Sequence, residues 1–269
     1  MMNNADDPLT AEMAEYCPGQ VIYFGMDALS RPLALHVANG GRAVFYRSGD
    51  IVFAEGASET VLMRAAEVPS THGGMVPFQV QNAMAAAAVA WGAGVPLDSI
   101  RLGLRTFQTD EGTAPGRFNM FDVAGATVIV DYGHNPHAVK AVQQALATMK
   151  PRRKIGVVAA PGGRRDADIQ ELAVVAANTF DWIIVREDDN LRGRERGEVA
   201  GLIAETARRT RPSLPLSVTL DEMTAVGEAL ATGQWPQCAR PAVSCPSAAP
   251  APPDPSRRPG AVPRGHGGG

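Results

Sequence analysis

The chain has 269 residues, a formal net charge of −3 and an isoelectric point near 6.0. This weak acidity argues against a nucleic-acid partner and against a polybasic membrane-binding surface. No uninterrupted apolar run approaches the roughly 20 residues of a membrane-spanning helix. The N-terminus is polar and acidic, unlike a secretory signal or a transit peptide. We therefore expect a cytoplasmic protein.

Residues 20–68 have the pattern of short β-strands. Glycine-containing turns separate the apolar runs, which are Gln20–Phe24, Pro32–Val37, Arg42–Arg47 and Asp50–Glu55. Asn39-Gly40-Gly41 and Ser48-Gly49 contain residues that tolerate positive φ, as hairpin turns require. The pattern predicts a small antiparallel layer.

Two helices are predicted next. Phe78–Trp91 is rich in alanine, a strong helix former, and Leu97–Phe107 places apolar residues on one helical face. The polar, glycine-containing stretch that follows predicts a domain boundary near Gly112. Residues 1–112 are therefore interpreted as a first, partial domain.

From residue 113 to residue 233 the sequence alternates between strand and helix patterns. The predicted strands are Ala126–Tyr132, Lys154–Pro161, Asp181–Glu187 and Leu216–Val218. The predicted helices are Pro136–Met149, Asp166–Asn178, Glu198–Arg209 and Asp221–Leu230. This alternation predicts an α/β fold with a doubly wound, Rossmann-like parallel sheet, in which ligands sit at the carboxyl ends of the strands.

Residues 234–269 differ in composition. Nine of the 21 prolines lie there, and the segment has no apolar periodicity. We interpret it as a disordered tail. A natural linker and the product of a shifted reading frame both account for such a composition.

Five groups of residues are candidates for ligand contact. Asp131, His134 and Asn135 follow a predicted strand, where they either bind a nucleotide or only cap the next helix. Arg117, next to another predicted strand, suits a phosphate or a carboxylate, or is simply solvated. Asn82 has the donor and acceptor that adenine requires, although a lone helical asparagine more often has a structural role.

The last two groups follow the next predicted strands. Arg164 and Arg165 precede a helix whose N-terminus would favour an anion, although a tight turn explains them equally. Asn190 and Arg192 lie in a densely charged stretch that suits either an amino-acid substrate or a solvated loop. No GxxxxGK[ST] phosphate loop occurs in the sequence, and the histidines show no metal-binding spacing.

Taken together in this order, the motifs resemble the Mur ligase family, and within it the cyanophycin-synthetase branch. The motifs that carry the resemblance are NADDP, HVANGG, THGGMVPFQVQNAMAAAA, PGRFN, DYGHNPHA, PGGRRD and EDDNLRGR. The resemblance runs from about Asn3 to about Gly233. It implies a Mur ligase C-terminal domain over residues 113–233, preceded by the hairpin-containing end of a central, ATP-binding domain.

The resemblance also implies an ATP- and Mg²⁺-dependent ligase that joins an amine to a carboxylate through an acyl phosphate. In this branch the amine is that of arginine and the acceptor is the aspartate side chain of a polymer primer. Asn82 would contact adenine, Arg117 the phosphates and Asp131 the ribose, with His134 and Asn135 beside the nucleotide. Arg164, Arg165, Asn190 and Arg192 would lie near the substrates.

The chain departs from the family's pattern because the phosphate loop and the Mg²⁺-holding residues are not in its sequence. The sequence therefore assigns no catalytic residue and no metal ligand, and we expect a fragment that is inactive alone. One alternative is a non-catalytic nucleotide-binding or interaction module, either a homo-oligomer or completed by a separate ligase chain. Another is a fragment of a folylpolyglutamate-type or peptidoglycan-type ligase.

Overall fold

Three β-sheets organise the part of the chain that the structure describes, residues 1–123 and 125–232. The structure is a computed structural model. All described residues belong to one compact unit, Met1–Gln234. The predicted tail, residues 234–269, lies outside the described residues, and the boundary predicted near Gly112 remains a prediction.

The first sheet has five strands in the order β1-β2-β3-β4-β5. They are β1 (Met2–Asn4), β2 (Ile22–Gly25), β3 (Arg42–Arg47), β4 (Asp50–Glu55) and β5 (Ser58–Arg64). The first three strands are parallel, and the last three are antiparallel. The helices α1 (Pro8–Glu12) and α2 (Arg31–Ala38) connect the parallel strands, because a parallel pair cannot be joined by a tight turn.

The prediction of a strand at Pro32–Val37 was wrong, because this segment lies in α2. Pro32 occupies the start of the helix, where its missing N–H costs nothing. Residues 39–41 lead from α2 into β3 and form no hairpin, so the predicted all-antiparallel layer is a mixed sheet. The turn at Ser48-Gly49 is confirmed, since both residues have positive φ (52° and 95°) and join β3 to β4.

The two predicted helices are confirmed as α3 (Pro77–Gly92) and α4 (Leu97–Thr106). Helix α3 packs on the first sheet, where Val80 and Met84 are buried in one cluster with Val44 and Phe53. The small alanine side chains between them allow the helix to approach the strands closely.

Strand β7 (Ala126–Val130) exists, but it is not a strand of the parallel sheet. It pairs antiparallel with β6 (Asn119–Val123) in a two-stranded sheet. Its apolar residues are only partly buried, and Val130 is 47% exposed. A short apolar run gives no information about its pairing partner, which explains why the expected buried strand was incorrect.

The third sheet contains three parallel strands, β8 (Ile155–Val158), β9 (Trp182–Val185) and β10 (Leu216–Val218), in the order β10-β9-β8. Four helices alternate with these strands or flank them, namely α5 (Pro136–Met149), α6 (Asp166–Thr179), α7 (Glu198–Thr210) and α8 (Glu222–Thr232). The core between α6, α7 and the sheet includes Leu172, Ile183 and Ile203, all at most 1% exposed. The α/β class is confirmed. Among the described residues, no helix is both long and apolar enough to cross a membrane.

Candidate functional site

The segment after β7 forms a tight turn and a helix cap. The Asp131 carboxylate accepts a hydrogen bond from the backbone N–H of Gly133 (2.7 Å), and Asn135 accepts one from the N–H of Ala138 (2.9 Å) as the N-cap of α5. His134 Nδ1 lies 3.0 Å from the carbonyl oxygen of Tyr132. These bonds give Asp131 and Asn135 a structural role, and the second carboxylate oxygen of Asp131 keeps its acceptor capacity.

The loop before β6 brings Arg117 to the same turn. The carbonyl oxygen of Gly116 accepts a hydrogen bond from the N–H of Tyr132 (2.8 Å), and the Arg117 guanidinium carbon lies 5.9 Å from the centre of the Tyr132 ring. Arg117 is exposed, and so is Asp131. The structure therefore places Arg117 next to Tyr132, the residue that directly follows Asp131 in the chain.

Two neighbours in the PGRFN motif, to which the sequence analysis gave no role of their own, hold this loop in place. Phe118 is completely buried and has a positive φ of 56°. Asn119 is 3% exposed; its Oδ1 accepts from the N–H of Gly116 (2.7 Å) and its Nδ2 donates to two carbonyl oxygens. A positive φ at a buried phenylalanine is costly. Packing and the Asn119 bonds stabilise it, and neither leaves a signal in the local sequence.

Asn82 lies on α3, exposed, with its Nδ2 donating to Gln79 Oε1 (3.1 Å). Both side chains line a cavity of about 400 Å³ between α3 and α4, walled mainly by alanine, valine, leucine and isoleucine side chains. Phe78, one helical turn before Asn82, packs edge-on against Phe118 with ring centres 5.3 Å apart. Residues four apart share a helix face, so this contact places Asn82 on the side of α3 that faces the Arg117 loop.

The loops after β8 and β9 meet directly, as their position at adjacent strand ends predicts. The N–H of Gly162 donates to the carbonyl oxygen of Asn190 (3.0 Å). A Cβ at position 162 would lie 2.0 Å from the carbonyl oxygen of Leu191. Only glycine allows this approach, so the two loops form one surface that carries the predicted residues of both.

Arg194 holds the two loops of this surface together. The sequence analysis did not single out this residue. Its guanidinium donates to the carbonyl oxygens of Gly162 and Arg164 (both 2.9 Å) and to the carboxylates of Asp166 (2.7 Å) and Glu198 (2.8 Å). The planar fork of an arginine suits several acceptors at fixed angles. In the sequence, Arg194 is one of several arginines in a charged stretch, and nothing there distinguishes it from Arg192.

The predicted substrate-contacting residues differ in their contacts with the rest of the protein. Arg165 forms a two-bond pair with Asp168 (2.9 and 2.7 Å), and this hydrogen bonding lowers the pKa of Asp168. Arg192 is exposed, has a positive φ of 50°, and lies against Gly163. Asn190 is also exposed. Both Arg192 and Arg165 are thus exposed, and Arg165 is in addition paired with Asp168 at the start of its own helix.

One part of the chain matches a known protein family. Residues 116–234 match the model of the Mur ligase, glutamate ligase domain. This part of the chain belongs to the Mur ligase family. The Mur ligase domain therefore includes β6–β10, the turn after β7 and both arginine-bearing loops.

The similarity to curated relatives extends beyond that domain. The cyanophycin synthetase of Synechocystis sp. is 41% identical over 227 residues, which cover 84% of this chain and 26% of that protein. The cyanophycin synthetase of Crocosphaera subtropica is 41% identical over 223 residues, covering 83% of this chain and 26% of that protein. The chain thus spans about a quarter of the length of these relatives.

A solved structure supports the fold. Folylpolyglutamate synthase of Mycobacterium tuberculosis, complexed with ADP and AMPPCP, has a TM-score of 0.51 and 19% identity, covering 80% of this chain and 49% of that chain. At this identity the likeness concerns the arrangement of helices and strands, and it extends over the first sheet as well as the Mur ligase domain.

Proposed function

We propose that this chain carries the adenine-contacting and amino-acid-contacting parts of an ATP-dependent acid–amino-acid ligase of the cyanophycin-synthetase type. The observation that carries the proposal is the junction of the loops after β8 and β9, which Arg194 and Gly162 hold together. In a ligase of this type, ATP supplies the phosphoryl group that activates a carboxylate, and an amine then forms the amide bond. Arginine and an aspartate polymer are the proposed substrates.

The adenine end of this site is built on α3. The Asn82 carboxamide can donate to N7 of adenine and accept from its N6 amine once it leaves Gln79. The apolar cavity beside it offers the non-polar surroundings that a purine ring requires. Arg117 on the adjacent loop and Asp131 on the turn after β7 then bind a phosphate and a ribose hydroxyl respectively.

The amino-acid end lies on the junction of the two loops. Arg192 is the exposed cation there, and it suits the carboxylate of an incoming amino acid. Asn190 beside it offers both a donor and an acceptor to an ammonium or guanidinium group. Arg164 and Arg165 lie on the facing loop, at the start of α6, where Arg165 must leave Asp168 to bind a substrate.

Mg²⁺ in a nucleotide site is usually held by one or two carboxylates together with the phosphates of the nucleotide and water. Within residues 1–123 and 125–232, no group of three or more His, Cys, Asp or Glu side chains is placed to hold a metal ion. The sequence also contains no lysine-bearing phosphate loop. We therefore assign nucleotide binding to this chain and no phosphoryl transfer by the chain alone.

The test is the binding of ADP to the purified chain by isothermal titration calorimetry. Asn82→Ala should weaken binding about tenfold, which corresponds to the loss of about 1.4 kcal/mol. Asn178→Ala is the matched control, because Asn178 is also an exposed asparagine on a helix and lies outside the proposed site. Equal affinities of the two variants would refute the assignment of Asn82.

Turnover is tested separately, with ATP, arginine and an aspartate-polymer primer. We expect no ADP release that depends on arginine and primer. Such release by the chain alone would overturn the assignment of a purely binding role. If the chain releases no ADP until a second chain with a phosphate loop is added, the alternative of a separately encoded ligase half is favoured.

A further inference from the structure

The segment between α5 and β8 is strongly basic. It consists of Lys150, Pro151, Arg152, Arg153 and Lys154. The first three cations are exposed, and Lys154 is partly buried. Within the described part of the chain, none of the four forms an ion pair.

The fold brings two arginines from the end of α7 to the same place. The strands β8 and β9 begin side by side, since the carbonyl oxygen of Lys154 accepts a hydrogen bond from the N–H of Asp181 (2.8 Å). Arg211 donates to the carbonyl oxygen of Phe180, the residue before Asp181 (2.9 Å). Arg208, exposed, lies one helical turn before Arg211. A basic patch therefore lies at the amino ends of β8 and β9; its residues are Lys150, Arg152, Arg153, Lys154, Arg208 and Arg211.

The patch stands out in a chain whose net charge is −3. Elsewhere, surface arginines have carboxylate partners, as in the pairs Arg42–Glu55 and Arg105–Glu67. In the patch, the Asp181 carboxylate accepts instead from the backbone N–H of Lys154 (2.8 Å). The side-chain cations therefore repel one another, and a bound anion would relieve this repulsion.

We propose that the basic patch binds an acidic polypeptide, the aspartate polymer of the reaction proposed above, on which this assignment rests. Arginine and lysine side chains both form charge-assisted hydrogen bonds with carboxylates. A nucleic acid fits less well, because single-stranded bases need free aromatic rings on which to stack. The ring beside the patch, that of Trp182, is partly buried and has the Arg153 guanidinium carbon 5.6 Å from its centre.

The position of the patch suits an anchor for a polymer. The loops proposed to contact the amino acid lie at the carboxyl ends of β8 and β9, and each strand has four residues, or about 13 Å. An extended polypeptide advances about 3.3 Å per residue, so about ten residues reach from one end of the strands to the other. Binding one part of the polymer at the patch raises the effective concentration of its other residues at the loops.

The proposed reaction changes the charge of the polymer. When the amine of arginine displaces phosphate from the aspartyl phosphate, an amide replaces the aspartate carboxylate. The attached arginine brings one carboxylate and one guanidinium group, so the modified residue has no net charge. The patch should therefore bind unmodified stretches of the polymer more tightly than modified ones.

The probe is a fluorescently labelled peptide of about ten aspartates, and fluorescence anisotropy measures its binding to the full chain. Arg152→Gln/Arg153→Gln should weaken binding about tenfold, as should an increase in NaCl from about 50 to about 200 mM. The matched control, Arg31→Gln/Arg64→Gln, removes two exposed arginines from the first half of the chain and should leave binding unchanged. Circular dichroism checks that both variants are folded.

Three competitors complete the test. The same peptide with arginine attached to its side chains should bind about tenfold more weakly. Equal binding of that peptide, or equal affinities of the two double variants, would overturn the proposal. Tighter binding of single-stranded DNA of equal charge would also overturn it and assign the patch to a nucleic acid. Self-association that only Arg152→Gln/Arg153→Gln abolishes would instead assign the patch to a second copy of the chain.

ADP binding separates this inference from the proposed function. None of the patch residues is among those proposed to contact the nucleotide, so Arg152→Gln/Arg153→Gln should bind ADP like the wild type. A wild-type chain that binds ADP but not the aspartate peptide would refute the anchor alone. A chain that binds the peptide through the patch but not ADP would support the patch and refute the nucleotide assignment.

Discussion

The first and the third sheet both contain parallel strands. Their strand ends are held together by side chains of opposite charge. In the first sheet, the Asp6 carboxylate after β1 accepts from a backbone N–H after β2 (2.6 Å) and from Gln81 on α3 (3.0 Å). In the third sheet, the Arg194 guanidinium donates to the carbonyl oxygens of Gly162 and Arg164. The junction in the first sheet is therefore held by a hydrogen-bond acceptor, and the junction in the third sheet is held by a hydrogen-bond donor.

The glycine at each junction shows how rigidly that junction is held. A Cβ at Gly25 would lie 2.9 Å from Asp6 Oδ1, the end of a side chain that can rotate away. A Cβ at Gly162 would meet the backbone carbonyl of Leu191 at 2.0 Å, and a backbone atom cannot rotate away. The arginine junction is thus fixed by main chain on both sides, which is the rigidity that a substrate site requires.

The largest expected effect comes from adding a methyl group at these glycines. Gly162→Ala should lower the free energy of unfolding by about 2–4 kcal/mol, because the two loops must separate. Gly25→Ala should lower it by less, about 1–2 kcal/mol, since only the Asp6 side chain must move, which weakens its hydrogen bonds to the N–H after β2 and to Gln81. Urea denaturation followed by circular dichroism measures both.

The control is Gly201→Ala, within α7, where no atom lies within 4 Å of the added Cβ. Alanine is the better helix former, so this variant should gain about 0.5–1 kcal/mol. If Gly162→Ala unfolds at the same urea concentration as Gly25→Ala, the two junctions do not differ in the way proposed.

A smaller and more local effect is expected at Arg194. Arg194→Met removes the donors to both carbonyl oxygens, and hydrogen exchange should become faster in residues 160–165 and 188–193 while α7 keeps its protection. Arg194→Lys keeps the charge but not the planar fork, so it should restore only part of the protection. Arg208→Met removes an exposed arginine of α7, which follows the loop that carries Arg194, and should change neither loop. Unchanged exchange in Arg194→Met would show that Gly162 alone holds the junction.

The smallest effect is a pH dependence in the first half of the chain. Burial lowers the pKa of His72, whose Nε2 is buried without a hydrogen-bond partner among the described residues. Between this lowered pKa and the ordinary value of about 6.5, the unfolded chain binds more protons than the folded chain. At pH values above that window, neutral His72 therefore contributes its full stabilisation of the folded state. This stabilisation is lost as the pH falls through the window.

Thermal melts at about pH 7.5 and about pH 5.5 test this expectation. The decrease in melting temperature on acidification should be smaller in His72→Asn than in the wild type; asparagine also tolerates the positive φ of 51°. His137→Asn, at an exposed helical histidine, should melt like the wild type at both pH values. An equal decrease in all three proteins would exclude His72 as the source.

Local patterns predicted most elements of this chain. Helix α5 begins at Pro136 and ends at Met149, as the sequence predicts, because a proline after an asparagine cap starts a helix clearly. The prediction failed at Pro32–Val37, where the apolar run suits a strand and a short helix equally. It also failed for the pairing of β7, which depends on residues elsewhere in the chain.

For the site, the sequence by itself determined which residues lie at strand ends, because alternation of strand and helix fixes where each loop falls. Asp131, Arg164 and Asn190 were placed there by that rule, and the structure has them after β7, β8 and β9. Only the tertiary structure decided that Arg194 ties two loops together, that Asn119 and Phe118 hold the Arg117 loop, and that a basic patch forms at the amino ends of β8 and β9. These features depend on contacts between residues distant in sequence, and periodicity and turn propensity describe only residues that are close in sequence.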